Sequence, residues 1–368
     1  MTVGLFGGAF DPFHKEHEKV AEAAIKELSL EKLVLVPSFN PPHKDNTVAD
    51  FEHRVRMLEL FAEEKKYVIV DRIESQTGFD KNYAYEVIPL LKEKYGTCIY
   101  IIGGDSMANF HRWAKPDVIA KEIPVAVAMR EGFPGAEEAI KHAEEAYNAQ
   151  IIRLSVVGEE ISSGEIRARL ELEMDVCGML DSRIAEYIRK QGLYKEYADI
   201  VAKLKNAIGA KLYIHSANTA IFAARHAALA GVSFYKAFCA GLLHDCAKER
   251  VVSCEGYPTD SLAVVHQYMG AETIEKEYGI TDPEIMSAVA CHTTGKPAMS
   301  PLDKLIYIAD KLEDGREYEG VEALRAALLR GLDEGFFAVL RSSAAHLKSK
   351  STKADGLTKA CMDYYNIV

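Results

Sequence analysis

Apolar residues follow two different rhythms along this chain. From Met1 to about Tyr194, short runs rich in Val and Ile alternate with stretches of helical period. The runs Val3–Phe6, Lys32–Pro37, Tyr67–Asp71, Cys98–Ile102, Pro124–Met129 and Ile151–Leu154 have the length and continuous apolarity of strands buried on both faces. Helical period marks the intervening stretches Glu18–Leu28 and Phe51–Phe61. This alternation predicts a parallel sheet covered by helices, a Rossmann-like α/β layout. Beyond Tyr194 the strand pattern stops and helical period takes over, which predicts an all-α second domain. One helix is marked by Ser300 as N-cap, Pro301 and Asp303 in the first turn, an apolar face of Leu305, Ile308, Ala309 and Leu312, and Gly315 past its end. A second runs from Asp282 and Pro283 through Ile285 and Val289 to His292, with Gly295 beyond. The expected domains are residues 1–194 and 195–368, joined by a short stretch or a shared helix, because no Pro/Gly/Ser-rich linker separates them.

Polar residues that interrupt these rhythms carry the candidate chemistry. The first strand leads into Gly7-Gly8-Ala9-Phe10-Asp11-Pro12-Phe13-His14-Lys15-Glu16-His17 and then into a helix. Adjacent glycines let a phosphate approach the backbone, and a helix start offers free N–H groups and a positive dipole end. His14 and His17 are spaced to face one site, where imidazoles could stabilise charge developing on phosphate oxygens. Ile161-Ser162-Ser163-Gly164-Glu165-Ile166-Arg167 reads as a second helix start suited to an anion, or simply as an N-cap. In the second half, His215, His244 with Asp245, His266, His292 and Asp310 form an ordered set of imidazole and carboxylate donors on several helices. Six ligands exceed one tetrahedral ion; they suit two ions roughly 3.5–4 Å apart with Asp245 between them. His226 and His346 are expected to be structural.

Composition narrows the function classes. The chain has 368 residues, 48% of them hydrophobic and 27% charged, with a net charge of −11. Such acidity disfavours sequence-independent binding of nucleic acid, which relies on neutralising phosphates. No apolar run approaches the roughly 18 residues of a membrane helix, and the N-terminus lacks the pattern of a signal peptide. The seven cysteines are scattered, with no Cys-x-x-Cys, which predicts reduced thiols and a cytoplasmic location.

Longer motifs bring family resemblances. Residues 1–194 resemble bacterial nicotinate mononucleotide adenylyltransferases. The likeness rests on Gly7-Gly8-Ala9-Phe10-Asp11-Pro12-x-His14-x-x-His17, Val36-Pro37 followed by Pro41-Pro42-His43-Lys44, Gly103-x-Asp105-Ser106 with Trp113 downstream, and Ile161-Ser162-Ser163-x-x-Ile166-Arg167. It implies ATP over Gly7, Gly8, Ala9 and Phe10, with His14 and His17 on its phosphates and Ser162, Ser163 and Arg167 at the β/γ end. Lys44 would meet the mononucleotide phosphate, Gly103 and Asp105 the adenosine ribose and a Mg²⁺ ion, and Tyr83 and Trp113 the pyridine ring. Three positions depart from the family pattern: Glu16 for Gly, Gly164 for Thr, and Asn82-Tyr83-Ala84 for Ser-Tyr-Thr. Glu16 either repels ATP or points away and favours the helix N-terminus.

The second half resembles HD-domain phosphohydrolases, and within them the YqeK-type diadenosine tetraphosphate hydrolases. The matching stretches are Leu242-Leu243-His244-Asp245-x-Ala247-Lys248, His266 with Gly270-Ala271, His292-Thr293-Thr294-Gly295, and Ile306 to Glu313 leading to Arg316. By that likeness Lys248 and Arg316 contact phosphates, and Thr293, Thr294 and Gly295 approach the nucleotide. Lys296 replaces the commoner Arg. Nitrogen and oxygen ligands admit iron, manganese, cobalt, nickel or zinc; the resemblance favours iron. Together the resemblances imply a bifunctional enzyme acting on ATP, nicotinate mononucleotide and diadenosine tetraphosphate, in any oligomeric state. They leave open another phosphorylated acceptor, or a nucleotide-sensing module, beside a general HD phosphohydrolase.

Overall fold

The structure is a computed structural model that describes residues 2–39, 49–129, 135–155, 161–350 and 354–367. Two compact units emerge: residues 1–166 with 175–194, and residues 167–174 with 195–368.

The first unit is built on six parallel strands: β1 (Val3–Gly8), β2 (Lys32–Pro37), β3 (Val68–Val70), β4 (Cys98–Gly103), β5 (Val125–Ala128) and β6 (Ile151–Leu154). Their order is β3-β2-β1-β4-β5-β6, with every pairing parallel. The helices are α1 (Lys15–Glu27), α2 (Phe51–Ala62), α3 (Ala84–Tyr95), α4 (Gly104–Ala108), α5 (Pro116–Glu122), α6 (Gly135–Tyr147) and α8 (Ser182–Gln191), while α7 (Ser163–Glu171) is divided between the units after Ile166. The central strands are buried along both faces: Val3, Leu5, Leu33, Val34, Leu35, Ile101, Val125 and Val127 are inaccessible to solvent. That burial explains their unbroken apolar runs. Strand order reverses between β1 and β4, so the carboxyl ends of these two strands border the crevice where open parallel sheets bind nucleotides.

The second unit is helical: α9 (Ala198–Ala207), α10 (Ala210–Ala230), α11 (Phe234–Leu243), α12 (Leu262–Tyr278), α13 (Pro283–Cys291), α14 (Pro301–Leu312), α15 (Val321–Arg330), α16 (Leu332–Ser349) and α17 (Gly356–Tyr364). Ser300 and Asp303 form a reciprocal capping box at the start of α14, and Asp282 caps α13. Gly241 lets α11 lie against α10. A side chain there would come within 2.9 Å of the Ala220 Cα and 3.0 Å of the Thr219 carbonyl.

The units part differently from the expected break after Tyr194. Residues 167–174 group with the helical unit because their partners lie there. The Arg167 guanidinium stacks on the Phe234 ring at 4.6 Å. Glu171 accepts hydrogen bonds from the Glu196 and Tyr197 backbone N–H groups at 3.1 and 3.0 Å, and Lys195 pairs with Glu173 at 3.0 Å. No helix among the described residues is long and apolar enough to cross a membrane.

Candidate metal centre and nucleotide site

The helices of the second unit bring the predicted ligands together. His215 lies on α10, His266 on α12 and Asp310 on α14, while His244 and His292 cap the C-termini of α11 and α13. Asp245 directly follows the first of these caps and is completely buried. Its two oxygens face different histidine pairs. Oδ2 lies 3.8 Å from His215 Nε2 and 3.4 Å from His244 Nε2. Oδ1 lies 3.2 Å from His266 Nε2 and 3.3 Å from His292 Nε2. Asp310 Oδ1 joins the first pair, at 3.1 Å from His215 Nε2 and 3.7 Å from His244 Nε2. Two groups of potential metal ligands therefore share Asp245.

The surroundings of the rings decide which nitrogen points inward. His244 Nδ1 donates to the Gly241 carbonyl and His292 Nδ1 to the Val289 carbonyl, each at 2.8 Å. His215 Nδ1 donates to Glu313 Oε1 at 3.2 Å. With Nδ1 carrying the hydrogen, each Nε2 presents a lone pair to the centre. The inward nitrogens then converge: the lone pairs on Nε2 of His215 and His244 stand 3.2 Å apart, and the Nε2 atoms of His266 and His292 stand 3.1 Å apart. Asp245 Oδ1 is buried and accepts no hydrogen bond. Opposed lone pairs around an orphaned carboxylate oxygen fit cations and little else. Charge reinforces the arrangement. Burial works to raise the Asp245 and Asp310 carboxyls, but the histidines facing Asp245, and Lys311 with His215 beside Asp310, hold both well below the usual carboxylate range. At the edge, Lys248 Nζ pairs with Asp245 Oδ2 at 2.7 Å and Arg316 Nη2 with Asp310 Oδ1 at 3.0 Å. Both side chains are partly exposed, so they can also reach an incoming phosphate.

His226 is of another kind. It is buried on α10, donates Nδ1 to the Phe222 carbonyl at 2.8 Å, and is driven down to about 4 chiefly by burial.

In the first unit, the Gly7–His17 candidates follow β1 and the Gly103, Asp105 and Trp113 candidates follow β4. Gly7 and Gly8 complete β1 itself rather than forming the turn. A side chain on Gly7 would stand 2.9 Å from the Tyr100 hydroxyl. The turn proper runs through Ala9 and Phe10, and Phe10 adopts a left-handed φ of 51°, a conformation that costs free energy in a non-glycine residue. His14 is the N-cap of α1 and His17 its third residue. Their ring centroids are 3.8 Å apart, and His17 packs among Phe6, Phe10 and Phe13. Between them, Glu16 is buried and paired with Lys19 Nζ at 2.8 Å. Gly103 ends β4, and Asp105 is exposed in the first turn of α4. Trp113 packs on Phe110 and Tyr100, and Tyr83 stacks on Tyr85. Ser162 accepts the Glu165 N–H at 3.1 Å, as an N-cap does, and the Ser163 hydroxyl donates to the Pro12 carbonyl at 3.3 Å. Lys44 lies outside the described residues.

Comparison with known proteins follows the same division. Residues 5–169 match the family described as Cytidylyltransferase-like, and residues 212–315 match the HD domain. A Bordetella petrii protein named "Probable nicotinate-nucleotide adenylyltransferase" is 34% identical over 194 residues, covering 52% of this chain and 98% of that protein. Through its first half, the chain belongs to the nicotinate-nucleotide adenylyltransferase family. A Mycoplasma genitalium protein named "Probable nicotinate-nucleotide adenylyltransferase/Ap4A hydrolase" is 26% identical over 329 residues, covering 86% of this chain and 88% of that protein. The crystal structure of a predicted HD superfamily hydrolase involved in NAD metabolism from Clostridium acetobutylicum is 33% identical, with a TM-score of 0.43. It covers 46% of this chain and 96% of that one. The architecture is thus a Rossmann-like cytidylyltransferase-type domain followed by a helical HD domain.

Within this adenylyltransferase–HD arrangement, some residues sit differently from their expected roles. Arg167 is buried beneath Phe234. Thr294 is buried too, its hydroxyl engaged with Gln267 and the Gly295 carbonyl. Gly295 packs on Cys361: a Cβ would meet that sulfur at 2.7 Å. The structure also adds residues that spacing did not reveal. Glu313 orients His215 while accepting the Gly315 N–H at 2.6 Å. Lys311 reaches the His292 and Tyr307 carbonyls at 3.2 and 3.3 Å and approaches Asp310 Oδ2 at 3.5 Å. Glu313 closes the stretch from Ile306 that carries the HD-domain resemblance, but that likeness gives it no role. Nothing in the local pattern marked Gln267.

Proposed function

We propose that the chain is a bifunctional nucleotide enzyme. Its first domain transfers AMP from ATP to nicotinate mononucleotide, giving deamido-NAD and pyrophosphate. Its second hydrolyses diadenosine tetraphosphate symmetrically to two ADP. The observation that carries this reading is the two-sided Asp245, whose oxygens each face a histidine pair. The Mycoplasma relative, whose printed name joins both activities, supports the pairing.

In the first domain, an oxygen of the mononucleotide phosphate attacks the ATP α-phosphorus in line. The bond from that phosphorus to the bridging oxygen breaks, and pyrophosphate leaves with the electron pair. Catalysis here is positioning and charge stabilisation. In this reading His14 and His17 hold the ATP phosphates beside the Gly7–Phe10 segment, and Ser162 and Ser163 face the β/γ end. Arg167 would have to leave Phe234 to join them. Asp105 and Gly103 serve the ribose and Mg²⁺, Lys44 the acceptor phosphate, and Tyr83 with Trp113 the pyridine ring.

In the second domain, His215, His244, Asp245 and Asp310 would hold one ion, and Asp245, His266 and His292 the other. When bound, such a pair lowers the pKa of water and neutralises phosphate charge. Iron is the favoured metal; manganese, cobalt, nickel and zinc suit the same donors. Lys248 and Arg316 would anchor the polyphosphate from the exposed edge. The HD fold and the ligand groups support divalent metal binding.

The test is direct. The intact chain is incubated with ATP and nicotinate mononucleotide, reading pyrophosphate, and separately with diadenosine tetraphosphate, reading products by chromatography. Deamido-NAD and ADP as sole hydrolysis product are expected. Pyrophosphate only with another acceptor, or AMP with ATP from the dinucleotide, would replace this reading. Incubation with ATP alone tests whether the domains share a pool: diadenosine polyphosphate should form and be cleaved.

A further inference from the structure

The turn after α13 carries a hydroxyl into the second ligand group. Thr293 Oγ1 lies 3.1 Å from His266 Nε2 and 3.0 Å from His292 Nε2, the two nitrogens that face Asp245 Oδ1. One hydroxyl hydrogen cannot serve both nitrogens. His292 Nε2 is a lone-pair donor because its Nδ1 hydrogen goes to Val289. The hydroxyl oxygen thus stands beside the His292 lone pair and within reach of His266 Nε2, the two nitrogens that face Asp245 Oδ1.

Its placement is fixed from behind. Gln267, inaccessible to solvent and adjacent to His266, accepts the Thr293 and Thr294 backbone N–H groups on Oε1, at 3.2 and 3.3 Å. Its Nε2 donates to the Thr294 hydroxyl at 3.1 Å. A buried amide costs free energy unless its hydrogen bonds are made; here it makes them to a single turn. Gly295 closes that turn with a left-handed φ of 66° and an N–H bonded to the Cys291 carbonyl at 2.8 Å.

We propose that Thr293 is an oxygen contact of the Asp245–His266–His292 metal subsite, and that Gln267 is the positioning residue that aims it. This rests on the two-ion reading above. It makes the subsites unequal: the first has two carboxylates, Asp245 and Asp310, whereas the second has one carboxylate and a neutral hydroxyl. The second subsite then binds its ion more weakly and depends on Thr293 for part of its affinity.

The test is titration of the full-length chain, stripped with chelator, with Co²⁺, followed by its ligand-field absorption and by elemental analysis. The wild type should take up two equivalents, the second more weakly. Thr293→Val should keep the first equivalent and weaken the second about 10- to 100-fold, the range for contacts supporting a metal site. Thr293→Ser should restore it to near wild type. Gln267→Ala should weaken the second equivalent in the same direction. Retention of the first equivalent shows that each variant is folded; should Thr293→Val lose both, Thr293→Ala takes its place. Two equivalents with unchanged affinities in the Val or Ala variant overturn this inference alone. A wild type that takes up one equivalent or none overturns the two-ion reading as well.

Discussion

The two candidate sites are assembled by different means. In the helical unit, each ligand stands on a helix, at a helix cap or, for Asp245, directly after one, and three rings are fixed through Nδ1 by Gly241, Val289 and Glu313. In the sheet unit, the candidate groups sit in loops and first turns after several strands, β1 and β4 foremost, and aromatic packing around His17 does much of the holding after β1. Convergence of rigid elements over-determines a donor set, so one missing donor there should be felt strongly. A loop site distributes its binding among backbone groups and many weak contacts. Single side-chain changes there should matter less.

Removing Asp245 tests the sharp end of this contrast. Asp245→Ala deletes the one carboxylate shared by both ligand groups and leaves four imidazoles facing a void. Bound metal should be lost, and dinucleotide hydrolysis should fall by well over the roughly 100-fold typical of supporting residues. Pyrophosphate release by the first domain should persist. Elemental analysis beside the two assays decides; loss of both activities in a folded protein would mean that the sites are coupled.

Glu313→Gln probes the layer behind a ligand. An amide can still meet His215 Nδ1 but no longer supplies the negative charge that makes the imidazole a stronger donor. Metal affinity or hydrolysis should drop about 10- to 100-fold, measured at saturating and limiting metal. An unchanged affinity would mean that His215 is held by its helix alone.

A histidine outside the centre gives a smaller, pH-dependent effect. His226 is buried neutral and titrates near 4, below its ordinary 6.5. Its folded-state pKa is depressed, so its contribution is complete above about pH 6.5 and is lost as pH falls towards 4. The shift corresponds to about 3 kcal/mol at most. His226→Phe should abolish this component. The difference in urea stability between wild type and variant should therefore change between pH 7 and pH 4.5; a constant difference would mean that the ring titrates normally.

These contrasts also explain what could be read from the chain before its structure. Strands such as Lys32–Pro37 and Val125–Ala128 announce themselves, since burial on both faces demands continuous apolar runs. His244 and Asp245 stand out because a polar pair ends an apolar helix. Glu313 and Gln267 stayed hidden because their work is defined by partners 98 and 26 residues away in sequence. The membership of residues 167–174 stayed hidden for a related reason. Helical period continues smoothly from Ser163 to Glu171 and does not say which residues will pack on each turn; Phe234 and Tyr197 settle that.

Glu16 is where the smallest effect is expected, and where sequence and structure argue differently. By pattern, a carboxylate between His14 and His17 threatens an ATP site. In the structure its side chain is buried and bound to Lys19, one turn along α1, so its charge is offset locally before it can act on a phosphate. Glu16→Gly should then leave the KM for ATP and turnover within a few-fold, while costing up to about 1 kcal/mol through the helical propensity of glycine. Lys19→Ala is the informative partner: it exposes the same carboxylate without its cation and should raise the KM for ATP more than Glu16→Gly changes it. If instead Glu16→Gly speeds pyrophosphate release more than tenfold, the carboxylate reaches the nucleotide despite Lys19, and the first domain is an attenuated catalyst.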